Sequence, residues 1–208
     1  MRETVIAADA RGVGIGAHPS YPDITGFGRR ELGLTPSEIA RHVSVQIRAL
    51  RDVATAMGAR VAHVKPHGAL YNRAARDAKA ARAIADAMRE LDPTLILLGL
   101  PGSEMMRAAD EAGIPFAGEA FADRAYTADL LLMPRGREGA VIEDAATAAA
   151  TAVELATRRT MRTSEGKELP LEAASLCVHG DTVNALTMLR TVRAALESAG
   201  VRIARFGS

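Results

Sequence analysis

The sequence predicts an α/β protein built on parallel strands, and three observations support this fold class. Short apolar runs alternate with longer helical patterns along the 208-residue chain. One run, residues 94–100, is almost entirely apolar, as expected for a strand buried on both faces of a parallel sheet. Polar residues follow the strands at their carboxyl ends, where α/β folds build their sites. We therefore expect a parallel sheet, either open or closed into a barrel.

The predicted elements follow one another in a regular order. The first strand spans residues 12–17. The helix after it has Thr35 as N-cap, Pro36 at its first position and Glu38 completing a capping box. Its apolar positions recur three or four residues apart as far as Met57, which places one face on a core. The remaining predicted elements are strand 60–64, helix 74–91, strand 94–100, helix 103–112, a strand within 113–124 that enters a loop at Glu119, helix 143–159, a linker-like segment 162–170, strand 173–181, a helix from Asp181 or Thr182 to Ala199, and a short strand or tail 201–206.

Composition excludes several classes of protein. Apolar residues make up 48% of the chain, which fits a globular fold rather than disorder. The net charge of +1 gives no electrostatic footprint for nucleic acid, so we expect none as a partner. No apolar run approaches the length of a membrane span and the first residues lack a signal peptide, so we expect a cytoplasmic protein with no membrane partner. The single cysteine, Cys177, excludes an internal disulfide and a Cys-rich zinc site.

The candidate catalytic residues are polar side chains at the carboxyl ends of the predicted strands. His18, His67 and His179 each sit beside Gly or Pro in a strand-end loop, where packing rarely needs an imidazole. Such histidines serve as general acids or bases or as metal ligands, and the sequence leaves both roles open. The full set is His18, Lys65, His67, Glu119, Asp123, Arg124, His179 and Asp181.

Several of these positions have a plain structural alternative. Asp181 could be only the N-cap of the last helix. The neighbouring Arg29 and Arg30 could be solvated, or they could clamp a carboxylate. His42 lies in the middle of a predicted helix and is interpreted as a surface residue, while His63 could be a core histidine. No G-x-x-x-x-G-K-[ST] phosphate loop is present, so any nucleotide is bound in another way.

Four stretches, in this order, resemble the LamB/YcsF family, to which the A subunit of bacterial 5-oxoprolinase belongs. They are GIGAHPSYPDITGFGRRELGLTPSEI, HVKPHGALYN, EAFADRAY and CVHGDTVNAL. The resemblance covers nearly the whole chain, so a single LamB/YcsF-like domain is expected over residues 1–208. It implies a (β/α)7-type barrel, similar to the barrels of glycoside hydrolases and deacetylases.

The resemblance also implies an activity and its partners. The expected reaction is ATP-dependent opening of the 5-oxoproline (pyroglutamate) lactam to L-glutamate, carried out with the separate 5-oxoprolinase subunits B and C. ATP, with Mg, is the expected cofactor, and no protein-bound metal is predicted. At matching motif positions, the strand-end residues are implied to be catalytic, and four others are implied to bind substrate: Arg29, Arg30, Tyr71 and Asn72.

The implied chemistry suggests individual roles. Lys65 and Arg124 would stabilise oxyanion or phosphate charge. A histidine–carboxylate pair would move protons, with His179 and Asp181 as one candidate. Arg29 or its neighbour would hold the substrate carboxylate.

One departure from the family keeps two other functions open. Members of the family begin with motifs of the type DLNCDLGE and NIACGFHAGD, and neither occurs in the sequence. We therefore expect the barrel to be incomplete at the N-terminus, without two βα units. The alternatives are a metal-dependent amide hydrolase of the deacetylase kind and a truncated, non-catalytic remnant.

Overall fold

A computed structural model describes residues 1–181 and 184–205 of the chain. These residues form two compact units: residues 1–117 with Arg205, and residues 118–204. Both units contain parallel strands, as the sequence predicts. Within the described ranges, no helix is both long and apolar enough to cross a membrane.

The first unit alternates helices with three parallel strands. Strand β1 pairs with β2, and β2 pairs with β3. Helix α4 packs against both α2 and α5. The elements are α1 (Arg2–Asp9), β1 (Ile15–Ala17), α2 (Pro36–Thr55), β2 (Val61–Val64), α3 (Gly68–Arg76), α4 (Ala78–Leu91), β3 (Ile96–Gly99) and α5 (Glu104–Ala112).

Helix α2 forms as its sequence predicts. The Thr35 hydroxyl accepts from the backbone N–H of Glu38, and the Glu38 carboxylate accepts in return from the backbone N–H of Thr35. This capping box satisfies donors that the first helical turn cannot pair internally. The predicted apolar face is buried at Ile39, Val43 and Ile47.

The predicted helix 74–91 is corrected in its start and continuity, because the structure has two helices there, the second of which ends at Leu91 as predicted. Helix α3 begins earlier, at Gly68, and the chain breaks out of helical conformation at Asp77. The Asp77 carboxylate then accepts hydrogen bonds from two N–H groups in the first turn of α4. An aspartate that caps a new helix start can interrupt a continuous apolar period. The second half of the motif HVKPHGALYN is therefore the start of a helix.

The second unit is built on a parallel strand pair and a helical hairpin. Strand β4 pairs in parallel with β7, and residue 119 lies opposite residue 175. Helices α6 and α7 pack on each other, with alanines of α6 against larger apolar side chains of α7. The elements are β4 (Phe116–Phe121, of which residues 118–121 belong to this unit), α6 (Ala145–Arg158), β5 (Thr160–Arg162), β6 (Glu168–Pro170), β7 (Ser175–Cys177) and α7 (Ala185–Ser198).

Three predictions in the second unit are corrected. The segment 162–170 is not a linker, since β5 and β6 form an antiparallel hairpin around Gly166, whose φ is 81°. Strand β4 runs on to Phe121 and so contains Glu119, where the sequence predicts that a loop begins. Helix α7 has Asn184 as its N-cap residue, so Asp181 is not the cap. The alternative helix start, Thr182, and the end of the segment 201–206 lie outside the described residues.

Candidate active site

In the first unit, His18 and His67 lie side by side where β1 and β2 end. The N–H of Lys65 donates to the Ala17 carbonyl (2.9 Å) and the N–H of His67 donates to the Pro19 carbonyl (2.8 Å). These bonds continue the parallel ladder beyond the strands and bring the two imidazoles together. His67 Nδ1 lies 3.0 Å from His18 Nε2.

Each imidazole of this pair also contacts a backbone carbonyl. His18 Nδ1 lies 2.6 Å from the carbonyl oxygen of Lys65, and His67 Nε2 lies 2.8 Å from that of Phe27. The Phe27 ring packs edge-on against the His67 ring at 5.2 Å. We call His18 and His67 the histidine pair.

The loop that presents the Phe27 carbonyl is held by its own contacts. The Asp23 carboxylate accepts from the backbone N–H of Gly26 (3.0 Å) and from Arg30 Nε (3.1 Å). The hydrogen bonds from Arg30 hold the pKa of Asp23 below its ordinary value. The Arg30 guanidinium also donates to the Thr25 hydroxyl (2.8 Å). Arg30 is thus engaged inside the loop, whereas the guanidinium of Arg29 lies 5.3 Å from the centre of the Phe27 ring.

Arg73 on α3, which the sequence analysis did not single out, also stabilises this loop through hydrogen bonds. Its guanidinium donates to the Leu34 carbonyl (3.0 Å), the Tyr21 hydroxyl (3.3 Å) and the Asp77 carboxylate (2.9 Å). The hydrogen bond with Tyr21, followed by the one with Asp77, raises the pKa of Arg73. Nothing in the periodicity of α3 distinguishes Arg73 from a solvated arginine, so the sequence carries little signal for this contact.

In the second unit, Asp123 and His179 form a close pair. Asp123 Oδ2 lies 2.7 Å from His179 Nδ1 and also accepts the backbone N–H of His179 at 3.0 Å. The Asp123 side chain is 1% exposed and the His179 side chain is 22% exposed. The His179 ring stacks on Phe121 with 5.7 Å between ring centres.

The electrostatics of Asp123 favour its carboxylate form. Burial acts to raise the pKa of Asp123, but the hydrogen bonds and charge of His179 outweigh burial and leave that pKa below its ordinary value. Its second oxygen, Oδ1, is buried with no hydrogen-bond partner among the described residues.

The predicted pairing of His179 with Asp181 is corrected, because the carboxylate on the His179 ring is that of Asp123. Strands β4 and β7 pair in parallel with residue 121 opposite residue 177. Continuing that register by two residues places residue 123 beside residue 179. Asp181 lies on an exposed turn after the strand.

Arg124 and Tyr126 organise the loop that follows β4. Arg124 is 3% exposed, and its guanidinium donates to the carbonyls of Ala140 (3.1 Å) and Met133. Burial, reinforced by the charge of Arg135, lowers the pKa of Arg124 to about 10. The Tyr126 hydroxyl accepts the backbone N–H of residue 121 (2.9 Å), and burial raises the pKa of Tyr126.

The remaining predicted residues fall in three kinds of place. Lys65 is half-buried directly after β2. Burial, and to a smaller extent the charge of Lys65, lowers the pKa of His63. Tyr71 is buried on α3, with Asn72 half-buried beside it. Glu119 is buried within β4.

The described side chains include no ready-made metal centre. Among residues 1–181 and 184–205, no group of three or more His, Cys, Asp or Glu side chains is arranged so that it could hold a metal ion.

Parallel βα units with polar side chains after their strands, including a buried Asp–His pair, define an α/β protein with a strand-end site. The chain belongs to the LamB/YcsF family, whose family model matches residues 1–208. This confirms the resemblance that the four motifs indicate.

Individual relatives agree with this placement. The chain is 48% identical over 206 residues to the 5-oxoprolinase A subunit of Streptomyces avermitilis, covering 99% of this chain and 82% of the relative. It is 50% identical over 206 residues to the protein of the same name from Nocardia farcinica, with the same coverage. The crystal structure of the lactam utilization protein from Thermus thermophilus matches with a TM-score of 0.91 and 43% identity, over 99% of this chain and 82% of that one. This likeness confirms the predicted α/β fold class.

Proposed function

We propose that this chain hydrolyses the 5-oxoproline lactam to L-glutamate as one component, the A subunit, of an ATP-dependent enzyme that also contains B and C subunits. The names of its relatives, the A subunit of 5-oxoprolinase and the lactam utilization protein, support the substrate and an assembly of several subunits. The observation that carries the proposal is the Asp123–His179 pair, which has the geometry of a general base held by a carboxylate.

The pair supplies what lactam opening requires of the protein. A lactam resists water because resonance stabilises its amide bond, so the attacking water must lose a proton as it adds. Asp123 accepts the Nδ1 hydrogen of His179, which leaves the Nε2 lone pair to take that proton.

Activation of the amide is the second requirement. In the assembled enzyme, ATP with Mg would supply it: transfer of the terminal phosphoryl group to the amide oxygen would release ADP and turn a poor electrophile into a good one. Lys65 is the residue of this chain that we assign to balancing the negative charge, because a compact ammonium suits that task. The Arg124 guanidinium donates to two backbone carbonyls, so we assign it to shaping the loop after β4.

The test is glutamate formation from 5-oxoproline by this chain mixed with purified B and C subunits and ATP. We expect glutamate only when all three proteins and ATP are present. Glutamate that forms without this chain would contradict the proposal, as would no glutamate from a mixture in which circular dichroism shows every protein folded. Glutamate formed at an unchanged rate without ATP would contradict the ATP requirement alone.

A further inference from the structure

The histidine pair contains four ring nitrogens, and each has a partner. At one end, His18 Nδ1 contacts the Lys65 carbonyl at 2.6 Å. At the other end, His67 Nε2 contacts the Phe27 carbonyl at 2.8 Å. The two central nitrogens, His18 Nε2 and His67 Nδ1, contact each other at 3.0 Å.

These contacts fix how many hydrogens the pair carries. A carbonyl oxygen only accepts, so both outer nitrogens must carry a hydrogen. The central contact needs one more hydrogen, because two lone pairs at that distance would repel each other. The total is three hydrogens, whereas two neutral imidazoles carry only two.

We propose that His18 and His67 share one extra proton and form an imidazole–imidazolium cation. The proton lies between His18 Nε2 and His67 Nδ1, while the outer hydrogens donate to the two carbonyls. The inference does not depend on the reaction proposed above. The histidine pair then carries one positive charge at the ends of β1 and β2. All four ring nitrogens are occupied by hydrogen bonds, so none is left to act as a base or a metal ligand.

The surrounding charges do not all favour this state. Lys65 and Arg29 are both positive and oppose a further positive charge. Asp23 and Arg30 are bound to each other and largely cancel. The pKa of His63 is lowered, chiefly by burial, so its ring adds little charge. What favours the extra proton is the pair of carbonyl acceptors, because without it one of the three short contacts becomes repulsive.

The proposed cation also bears on what this end of the first unit attracts. The shared proton adds one positive charge at the ends of β1 and β2, and a positive charge favours anionic groups such as a carboxylate or a phosphate. His18 is exposed, so the shared proton can exchange with solvent.

The direct test counts hydrogens on the histidine nitrogens by NMR of the full chain labelled with 15N-histidine. At about pH 7.5 an unperturbed histidine is mostly neutral, so an ordinary pair would show two protonated and two bare nitrogens. We expect three protonated nitrogens and one bare nitrogen for His18 and His67 together. Two protonated nitrogens, or four, would overturn the proposal.

A substitution sharpens this test. In His67→Gln the side-chain amide can still donate to the Phe27 carbonyl, but the second ring is gone. We expect His18 to become neutral, with its single hydrogen on Nδ1 facing the Lys65 carbonyl. A doubly protonated His18 in this variant would count against sharing. The matched control is His42→Gln on α2, which removes a histidine elsewhere and should leave the three-hydrogen count unchanged. If His67→Gln does not fold, the number of protonated ring nitrogens in the wild-type protein tests the proposal by itself.

Discussion

Replacing Asp123 with Asn lowers the rate of glutamate formation by the reconstituted enzyme by about 10²–10⁴-fold. The carboxylate of Asp123 accepts from His179 Nδ1 and thereby keeps the hydrogen on that nitrogen. An amide can rotate to donate to Nδ1 instead, which places the hydrogen on Nε2 and removes the base. The measurement is the initial rate at saturating 5-oxoproline and ATP, with folding checked by circular dichroism.

The matched control for this variant is Asp144→Asn in the same unit. Asp144 caps helix α6 by accepting from the backbone N–H of Thr147 at 2.7 Å, and Asn is an equally good cap. We expect the rate of Asp144→Asn to equal that of the wild type. An Asp123→Asn enzyme that is folded and retains the wild-type rate would show that the pair takes no part in catalysis.

Replacing Gly68 with Ala lowers the free energy of unfolding by about 2–5 kcal/mol, the sum of two costs. Gly68 has φ of 56°, in the left-handed region that a residue with a Cβ avoids. An added Cβ would also lie 2.7 Å from the carbonyl oxygen of Gly28. That oxygen cannot move away easily, because it accepts the N–H of Ala69 at 3.0 Å. The measurement is urea unfolding of the full chain.

Gly113→Ala separates the two costs. Gly113 is the C-cap of helix α5 and has φ of 67°, yet an added Cβ would meet nothing within 4 Å. We expect this variant to lose only the conformational part, about 1–2 kcal/mol. If both variants lost the same free energy of unfolding, the close approach of the Gly28 carbonyl would add no cost to an alanine at position 68.

Much of the site could be predicted because strand ends are easy to recognise. The apolar runs locate β2 and β7, and the polar residues after them lie where parallel strands end. The capping box of α2 is equally local, since Thr35 and Glu38 are three residues apart. Local patterns of this kind are visible in the sequence because the interacting groups are neighbours along the chain.

The partner of His179 could not be predicted in the same way. Asp181 is two residues away in sequence, whereas Asp123 is 56 residues away and reaches His179 only through the register of β4 and β7. Register depends on pairing between distant segments, which periodicity does not reveal. Arg30 is a separate case, because the sequence suggests a substrate clamp, whereas its guanidinium hydrogen-bonds to Asp23 seven residues away in the same loop.

Helix boundaries failed for a different reason. The apolar residues of the predicted helix 74–91 keep a helical period across Asp77, so the sequence pattern does not reveal the break there. The role of Asp77 as the N-cap of α4 is evident only from the structure. The hairpin of β5 and β6 was missed because its strands have three residues each and a polar turn. Short polar strands look like a linker when only composition is considered.

The central claim is that Asp123 holds His179 as a base with its Nε2 lone pair available. The most direct measurement is the tautomer of neutral His179, read from 15N NMR of the full chain. We predict a hydrogen on Nδ1, facing Asp123 at 2.7 Å, and none on Nε2. A hydrogen on Nε2 in the wild-type protein would contradict the account, since His179 could then accept no proton from water.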